Sequence, residues 1–397
     1  MYNTDVWRKG GKKNRNLYAF FCLCLLILPF SLQAQEEAPF DSLLRLRLDS
    51  TIKSEFWRQD IIGMAVGIVY EGQIAFLGAY GYSDREKAVP VSLDSEFRWA
   101  SMAKSLTAIS ALKLQEMGLL DLESPVKRIV PIWPDSSVRI RHLLTNRSGI
   151  GHYDELDRVF PQWKKNLKDF YPESSTWSAE NAVRTFKDAP LIFYPDSSYK
   201  YSTFGFVLAG AALENIGKGN LGVGYLGIVD QFVVRPLGLT SLKPDYLWGE
   251  NPKEVQGYYR DRIGDIRVRT DDDVSWKIPG GGYQSNIIDL SKYVKSLIFR
   301  DLLQPGSYEK MWTRQVEWDY GMGFEVKGAG QNLCIAHSGS QNKTRTVFVC
   351  YPNLGLGVAV MCNTEWASPR IVADAVLQSL LPAENPAAGT SSGGNRP

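Results

Sequence analysis

Ser101 and Lys104 stand three residues apart, at the head of a segment whose apolar residues Met102, Leu106, Ile109, Leu112, Leu114 and Met117 recur with helical spacing. On one helical turn residues i and i+3 share a face, so the lysine amine can reach the serine hydroxyl. A hydroxyl is a weak nucleophile until a neighbour takes its proton, and a desolvated lysine is a base able to do that. The spacing alone carries little, because Ser-x-x-Lys occurs seven times, beginning at Ser50, Ser101, Ser110, Ser124, Ser197, Ser307 and Ser340. Only Ser101 combines an aromatic approach, Phe97-Arg98-Trp99, with a long apolar helix behind it and polar partner motifs downstream. Those partners are Tyr201-Ser202-Thr203 and His337-Ser338-Gly339-Ser340.

The elements that must position these groups read as an α+β arrangement. Leu43, Leu44, Leu48 and Ile52 form a helical stripe, and the runs Gly63–Tyr70 and Gln73–Tyr80 flank Glu71-Gly72 as a β-hairpin. The helix behind Ser101 stops at Gly118, a residue suited to a left-handed cap. Loop-rich sequence follows to about Asp196, then a small-residue helix from Tyr201 to about Ile216, and a polar stretch to Asp273. Pro279-Gly280-Gly281-Gly282-Tyr283 reads as a flexible turn and Asp289 onward as a helix. Strand-like runs fill Tyr320–Val326, Leu333–Ala336, Thr344–Tyr351 and Gly355–Cys362, before a last helix from about Pro369 to Leu381. One domain over residues 35–381 is expected, with strands early and late in the chain, and disorder over 382–397.

The chain of 397 residues is 44% hydrophobic, enough for a large core. Arg8, Lys9, Lys12, Lys13 and Arg15 precede an apolar run from Leu17 to Leu32, the pattern of an export signal over residues 1–34, or of an N-terminal membrane anchor if uncut. The expectation is therefore a periplasmic or extracellular protein. Without residues 1–34 the balance is 40 basic against 42 acidic residues, and no basic cluster points to nucleic acid. Cys334, Cys350 and Cys362 sit in apolar strand-like runs and read as buried free thiols. No metal or other cofactor is expected: His142 and His152 read as locally hydrogen-bonded, and Asp271-Asp272-Asp273 as a solvated loop. Trp163 and Trp177 could be core residues or a roof over a cleft.

Ser101-x-x-Lys104, Tyr201-Ser202-Thr203 and His337-Ser338-Gly339-Ser340 together resemble the serine β-lactamase and penicillin-binding protein superfamily, in its class C β-lactamase-related branch. The resemblance extends over Leu119–Val126, His142–Gly149, Arg235–Leu239 and the triple glycine; at Tyr201–Gly205 and the triple glycine the chain is similar to mitochondrial members. It implies a β-lactamase/transpeptidase-like fold, an antiparallel sheet flanked by helices and formed by both ends of the chain, plus an inserted all-helical or mostly helical subdomain at roughly 100–280, with the active site between them. It also implies an acyl-serine mechanism on a small-molecule or peptide substrate. Ser101 would be the nucleophile, Lys104 and Tyr201 the proton-transfer groups, and the backbone amides of Ser101 and Ser340 the oxyanion donors. Gly339 would leave room for substrate along the strand; His337, Ser338 and Thr203 would complete the binding surface.

Two departures bear on substrate. His337 stands where β-lactamases usually carry lysine, and an imidazole with pKa near ~6.5 is mostly neutral at pH 7. Thr203 stands in place of asparagine and lacks its amide donor. Peptides, D-amino-acid amides or esters are thus expected substrates, the alternatives being a genuine class C-type β-lactamase and a non-hydrolytic or slowly acylating, self-assembling binder of cell-wall fragments. The sequence leaves the oligomeric state open.

Overall fold

Glu71 and Gly72 both take positive φ, 47° and 77°. Two such residues make the tight turn that matches the twist of paired strands, and they join β1 (Gly63–Tyr70) to β2 (Gln73–Asp84). The computed structural model describes residues 40–168, 170, 177–246, 251–315 and 318–381; the expected signal at 1–34 and tail at 382–397 lie outside them.

The hairpin becomes part of a seven-stranded antiparallel sheet with β3 (Val89–Pro90), β4 (Glu325–Lys327), β5 (Cys334–Gln341), β6 (Thr344–Tyr351) and β7 (Leu356–Cys362), in the order β3-β2-β1-β7-β6-β5-β4. The two ends of the chain meet where β1 pairs with β7, from Met64 opposite Cys362 to Val69 opposite Gly357. Period-two alternation sends side chains to two cores. Val66, Ile68, Val358 and Val360 face one side, where α1 (Ser42–Arg58) and the C-terminal helix Pro369–Leu380 supply Leu48, Ile52, Phe56, Val372 and Val376. Ala65, Val69, Phe348 and Ala359 face the other, against α2 (Ala103–Glu116), α3 (Thr203–Asn220) and α4 (Ile287–Phe299). Of the five cysteines, the three among the described residues are buried free thiols on β5, β6 and β7: Cys350 in the second core, Cys334 and Cys362 in the first.

Between α2 and α4 the described residues form helices, several short strands and long loops. Ser202 starts α3, its hydroxyl accepting the Gly205 amide at 3.2 Å, and side chains are buried around nearly the whole of this helix, as befits a central one. Two segments differ from their sequence reading. The stretch before Asp273 contains a hairpin, Tyr258–Arg260 with Ile266–Val268, anchored by the buried Tyr258, whose hydroxyl donates to Glu86 at 2.6 Å. The triple-glycine stretch, expected as a flexible turn, is a buried helical turn, Ile278–Gly281. It packs so closely on α3 that a methyl group on Gly210 would lie 2.3 Å from Pro279 Cγ. Among the described residues no helix is long and apolar enough to cross a membrane.

Candidate active site

The approach to Ser101 is held on three sides. Phe97 and Arg98 pair with Ser285 and Gln284, the Trp99 amide donates to the Tyr283 carbonyl at 2.7 Å, and the Trp99 indole donates to Ser285 Oγ at 2.7 Å. From β6, Thr344 Oγ1 donates to the Arg98 carbonyl (3.0 Å) and Thr346 Oγ1 to that of Trp99 (3.2 Å). Ala100 then takes φ 46°, a left-handed conformation costing a non-glycine residue about 1–3 kcal/mol, and the chain enters a 3-10 turn, Ala100–Met102, that runs into α2. Gly339 lies against this bend. A methyl group there would sit 2.3 Å from the Trp99 carbonyl oxygen and 3.2 Å from Ala100 Cβ, so glycine at 339 makes room for the serine-bearing segment.

Lys104, on the first turn of α2, is fully buried. Its Nζ lies 3.1 Å from Ser101 Oγ, 2.6 Å from the Gly280 carbonyl and 3.3 Å from Thr203 Oγ1. The rings of Tyr201 and Phe206 stand 4.7 and 5.7 Å away. Among the described residues no carboxylate pairs with it. Burial, with a lesser contribution from the charge of Lys277, holds its pKa well below the usual lysine range. Tyr201 is shifted the opposite way: burial raises its phenol far above the ordinary value, with the Ser101 hydroxyl opposing in part. The three groups expected to work together therefore converge, and burial disfavours the charged forms of both the lysine and the tyrosine.

Ser101 opens into a cleft of about 230 Å³, shared with Thr203, Gly280, Lys277 and Ser340. A larger cavity, about 500 Å³, is lined by Arg98, Asp245, Glu254 and Lys343 and contains none of the Ser101, Lys104 and Tyr201 group. It holds a buried charge network: Arg98 Nε is 2.8 Å from Asp245 Oδ2, and Lys343 Nζ is 2.6 Å from Asp271 Oδ1. Burial raises the Asp245 carboxyl to about 6 despite Arg98. Asp271 and Asp272 lie in a loop, as expected, Asp271 exposed and Asp272 partly so, and from it they bond Lys343 and Arg98.

His337 is 2% exposed and absent from the cleft lining. Its Nδ1 donates to the Ser338 carbonyl at 2.8 Å and its Nε2 accepts from the Tyr320 hydroxyl at 3.3 Å, which fixes one neutral tautomer. Burial lowers its pKa to about 4. The Ser338 hydroxyl is turned away, donating to Glu325 at 3.0 Å, whereas Ser340 does line the cleft. Among the described residues the edge of β5 beyond Ala336 has no partner strand, because β4 pairs only with Cys334, Ile335 and Ala336.

His152 and Lys277 are among the cleft residues not singled out for the site from the sequence. His152 Nδ1 accepts the Thr203 amide at 3.3 Å, and its ring meets that of Tyr201 edge-on at 5.6 Å. Lys277 follows the aromatic Trp276 in the turn before the triple glycine. A histidine just after Gly149 and Gly151, and a lysine just before three glycines, were the available signals. Trp163, one of two tryptophans left open as core or roof, is core: it packs on Tyr153, Phe204 and Trp276. Among the described residues no group of three or more His, Cys, Asp or Glu side chains is placed to hold a metal.

A family model described as Beta-lactamase matches residues 46–380. Human mitochondrial serine beta-lactamase-like protein LACTB is 26% identical over 410 residues, covering 76% of this chain and 73% of its own. Esterase EstB of Burkholderia gladioli is 29% identical over 251 residues, 60% of each chain, so less than two thirds of that relative is spanned. Among solved structures, the octameric penicillin-binding protein homologue from Pyrococcus abyssi superposes with a TM-score of 0.70 at 25% identity, over 84% of this chain and 76% of that one. With a sheet closed by both chain ends and a buried lysine behind a helix-start serine, this chain belongs to the beta-lactamase family of serine hydrolases.

Proposed function

We propose that Ser101 is the nucleophile of an acyl-transfer hydrolase and that Lys104, in its neutral form, is the base that activates it. A neutral lysine amine has two N–H bonds and one lone pair. Here the carbonyl of Gly280 and the hydroxyl of Thr203 are placed to accept the two N–H groups, which leaves the lone pair for the Ser101 hydroxyl proton. That matched set is the observation that carries the reading. It also gives Thr203 a role, accepting from the base, that an asparagine-for-threonine comparison does not suggest.

In this mechanism Ser101 Oγ attacks a carbonyl carbon as its proton passes to Lys104 Nζ. The backbone amides of Ser101 and Ser340 stabilise the oxyanion. As the acyl-serine forms, the proton returns to the leaving group through Lys104 or the neutral phenol of Tyr201, and water then clears the acyl group. Esters, peptides and D-amino-acid amides suit the site better than β-lactams, because the neutral, hydrogen-bonded His337 cannot serve as a strand cation. The helical insertion at roughly 100–280 forms one wall of the cleft, and the protein works after export directed by residues 1–34.

The test is covalent. A fluorophosphonate probe is expected to add to Ser101, located by peptide mass spectrometry, and Ser101→Ala is expected to lose labelling and to cut ester hydrolysis by at least about 10³-fold while keeping the wild-type circular dichroism. A wild-type protein that resists the probe, beside a control hydrolase that reacts, overturns the reading.

A further inference from the structure

One charged side chain in the cleft is left unexplained by acyl transfer. Lys277 lines it together with Ser101, His152, Tyr153, Thr203 and Ser340. Its ammonium stands 5.9 Å from the ring centroids of both Tyr153 and Trp276, and among the described residues it has no hydrogen-bond or ion-pair partner. The carboxylate that shares the cleft, Asp272, is already engaged by Arg98 and by Asn342, whose Nδ2 donates to it at 3.1 Å. The lysine stem runs beside the nucleophile's backbone: a methyl group on Gly281 would touch Lys277 Cδ and the Ala100 carbonyl carbon, each at 3.7 Å.

Lys277 adds positive charge next to Lys104 and His152, and it opposes protonation of both. A cation held against aromatic faces, beside a second amine and without a counter-ion, is satisfied by an anion arriving with the ligand. His337 is neutral and does not line the cleft, so the charge that would select an anionic substrate comes from the turn before the triple glycine and not from β5.

We propose that Lys277 is the specificity-determining residue of this cleft, and that the substrate is an acyl compound bearing a free carboxylate which pairs with it. The proposal rests on the acyl-serine reading for turnover, but not for binding. The carboxylate lies on the substrate within a few bonds of the reacting carbonyl, because the stem of Lys277 lies beside the residue that precedes Ser101.

The test compares mono-4-nitrophenyl glutarate, which is anionic, with 4-nitrophenyl valerate, a neutral ester of the same acyl length. Wild type is expected to favour the anionic ester at least about tenfold in kcat/KM. Lys277→Met is expected to reduce that ratio at least about tenfold, chiefly through KM, and Lys277→Arg to restore most of it. A ratio that stays within about twofold in Lys277→Met overturns the proposal. A second measurement is independent of turnover: glutarate is titrated into Ser101→Ala protein while the fluorescence of tryptophan, Trp276 standing next to Lys277, is followed. Saturable quenching that disappears in Ser101→Ala/Lys277→Met supports the proposal; quenching that is absent, or survives the second substitution, overturns it. If wild type hydrolyses neither ester and resists fluorophosphonate, the hydrolase reading fails and the titration alone decides the role of Lys277.

Discussion

The carbonyl oxygen of Trp99 would lie 2.3 Å from any Cβ added to Gly339, so the strand of the third motif and the segment bearing Ser101 are packed backbone to backbone. Neither chain can retreat. Trp99 is tied to Tyr283, Ser285 and Thr346, and Gly339 is paired in β5 with Thr346 of β6. Gly339→Ala must therefore displace one of them. The expected result is a stability loss of roughly 1–3 kcal/mol in denaturant unfolding. Hydrolysis should fall by about 10²-fold, because a misplacement near 1 Å is enough to do so.

Lys104→Arg is expected to remove at least about 10²-fold of activity, since a guanidinium stays charged and cannot take the serine proton. Because burial lowers the Lys104 pKa, the neutral base is present once pH rises through that lowered value. The acid limb of kcat/KM should accordingly lie well below the lysine range near ~10.4. A limb near ~10 in the wild-type pH–rate profile would show that Lys104 is not the base.

The histidines should be silent near neutrality. Burial lowers His142 to about 4, His152 to about 3 and His337 to about 4. Each folded value lies below the ordinary one near ~6.5, so the unfolded chain binds more protons in between, and stability should decline as pH falls from there toward 4. Ring signals followed by NMR are expected not to titrate from pH 8 to 5. A midpoint near 6.5 for any of them would contradict its buried, hydrogen-bonded setting.

Arg98 is 3% exposed and faces Asp245, itself 2% exposed. Arg98→Met leaves that carboxyl without its cation, and the expected loss is roughly 3–5 kcal/mol, measured by denaturant unfolding. Since Arg98 also pairs with Gln284 and precedes the Trp99 clamp, activity should fall before the global transition is reached.

The sheet, its flanking helices and the serine–lysine pair were legible because each rests on short-range pattern: alternation in Gly63–Tyr70, helical spacing from Met102 onward, a turn at Glu71-Gly72. Tyr201 and Ser340 were reached through their motifs. What stayed hidden depends on long-range folding. The Gly280 carbonyl accepts from Lys104 only because Pro279 seats on Gly210, and no local pattern announces a carbonyl as an acceptor. The hairpin at Tyr258–Val268 escaped because its outer positions are charged, so that alternation is broken except at Tyr258. His337 was legible as a departure, but its seclusion from the cleft follows from hydrogen bonds to Tyr320 and Ser338 that spacing does not encode.

Cys334, Cys350 and Cys362 occupy three strands of one sheet, and burial raises all three thiols above the ordinary value. A thiol reagent attacks the thiolate, so it can reach these sulfurs only after the strands part from their covering helices. The chain thus carries its own clocks. Cys350 times the opening of the layer that backs the nucleophile, whereas Cys334 and Cys362 time the release of the terminal helices, and their labelling rates measure the lifetimes of the two cores separately.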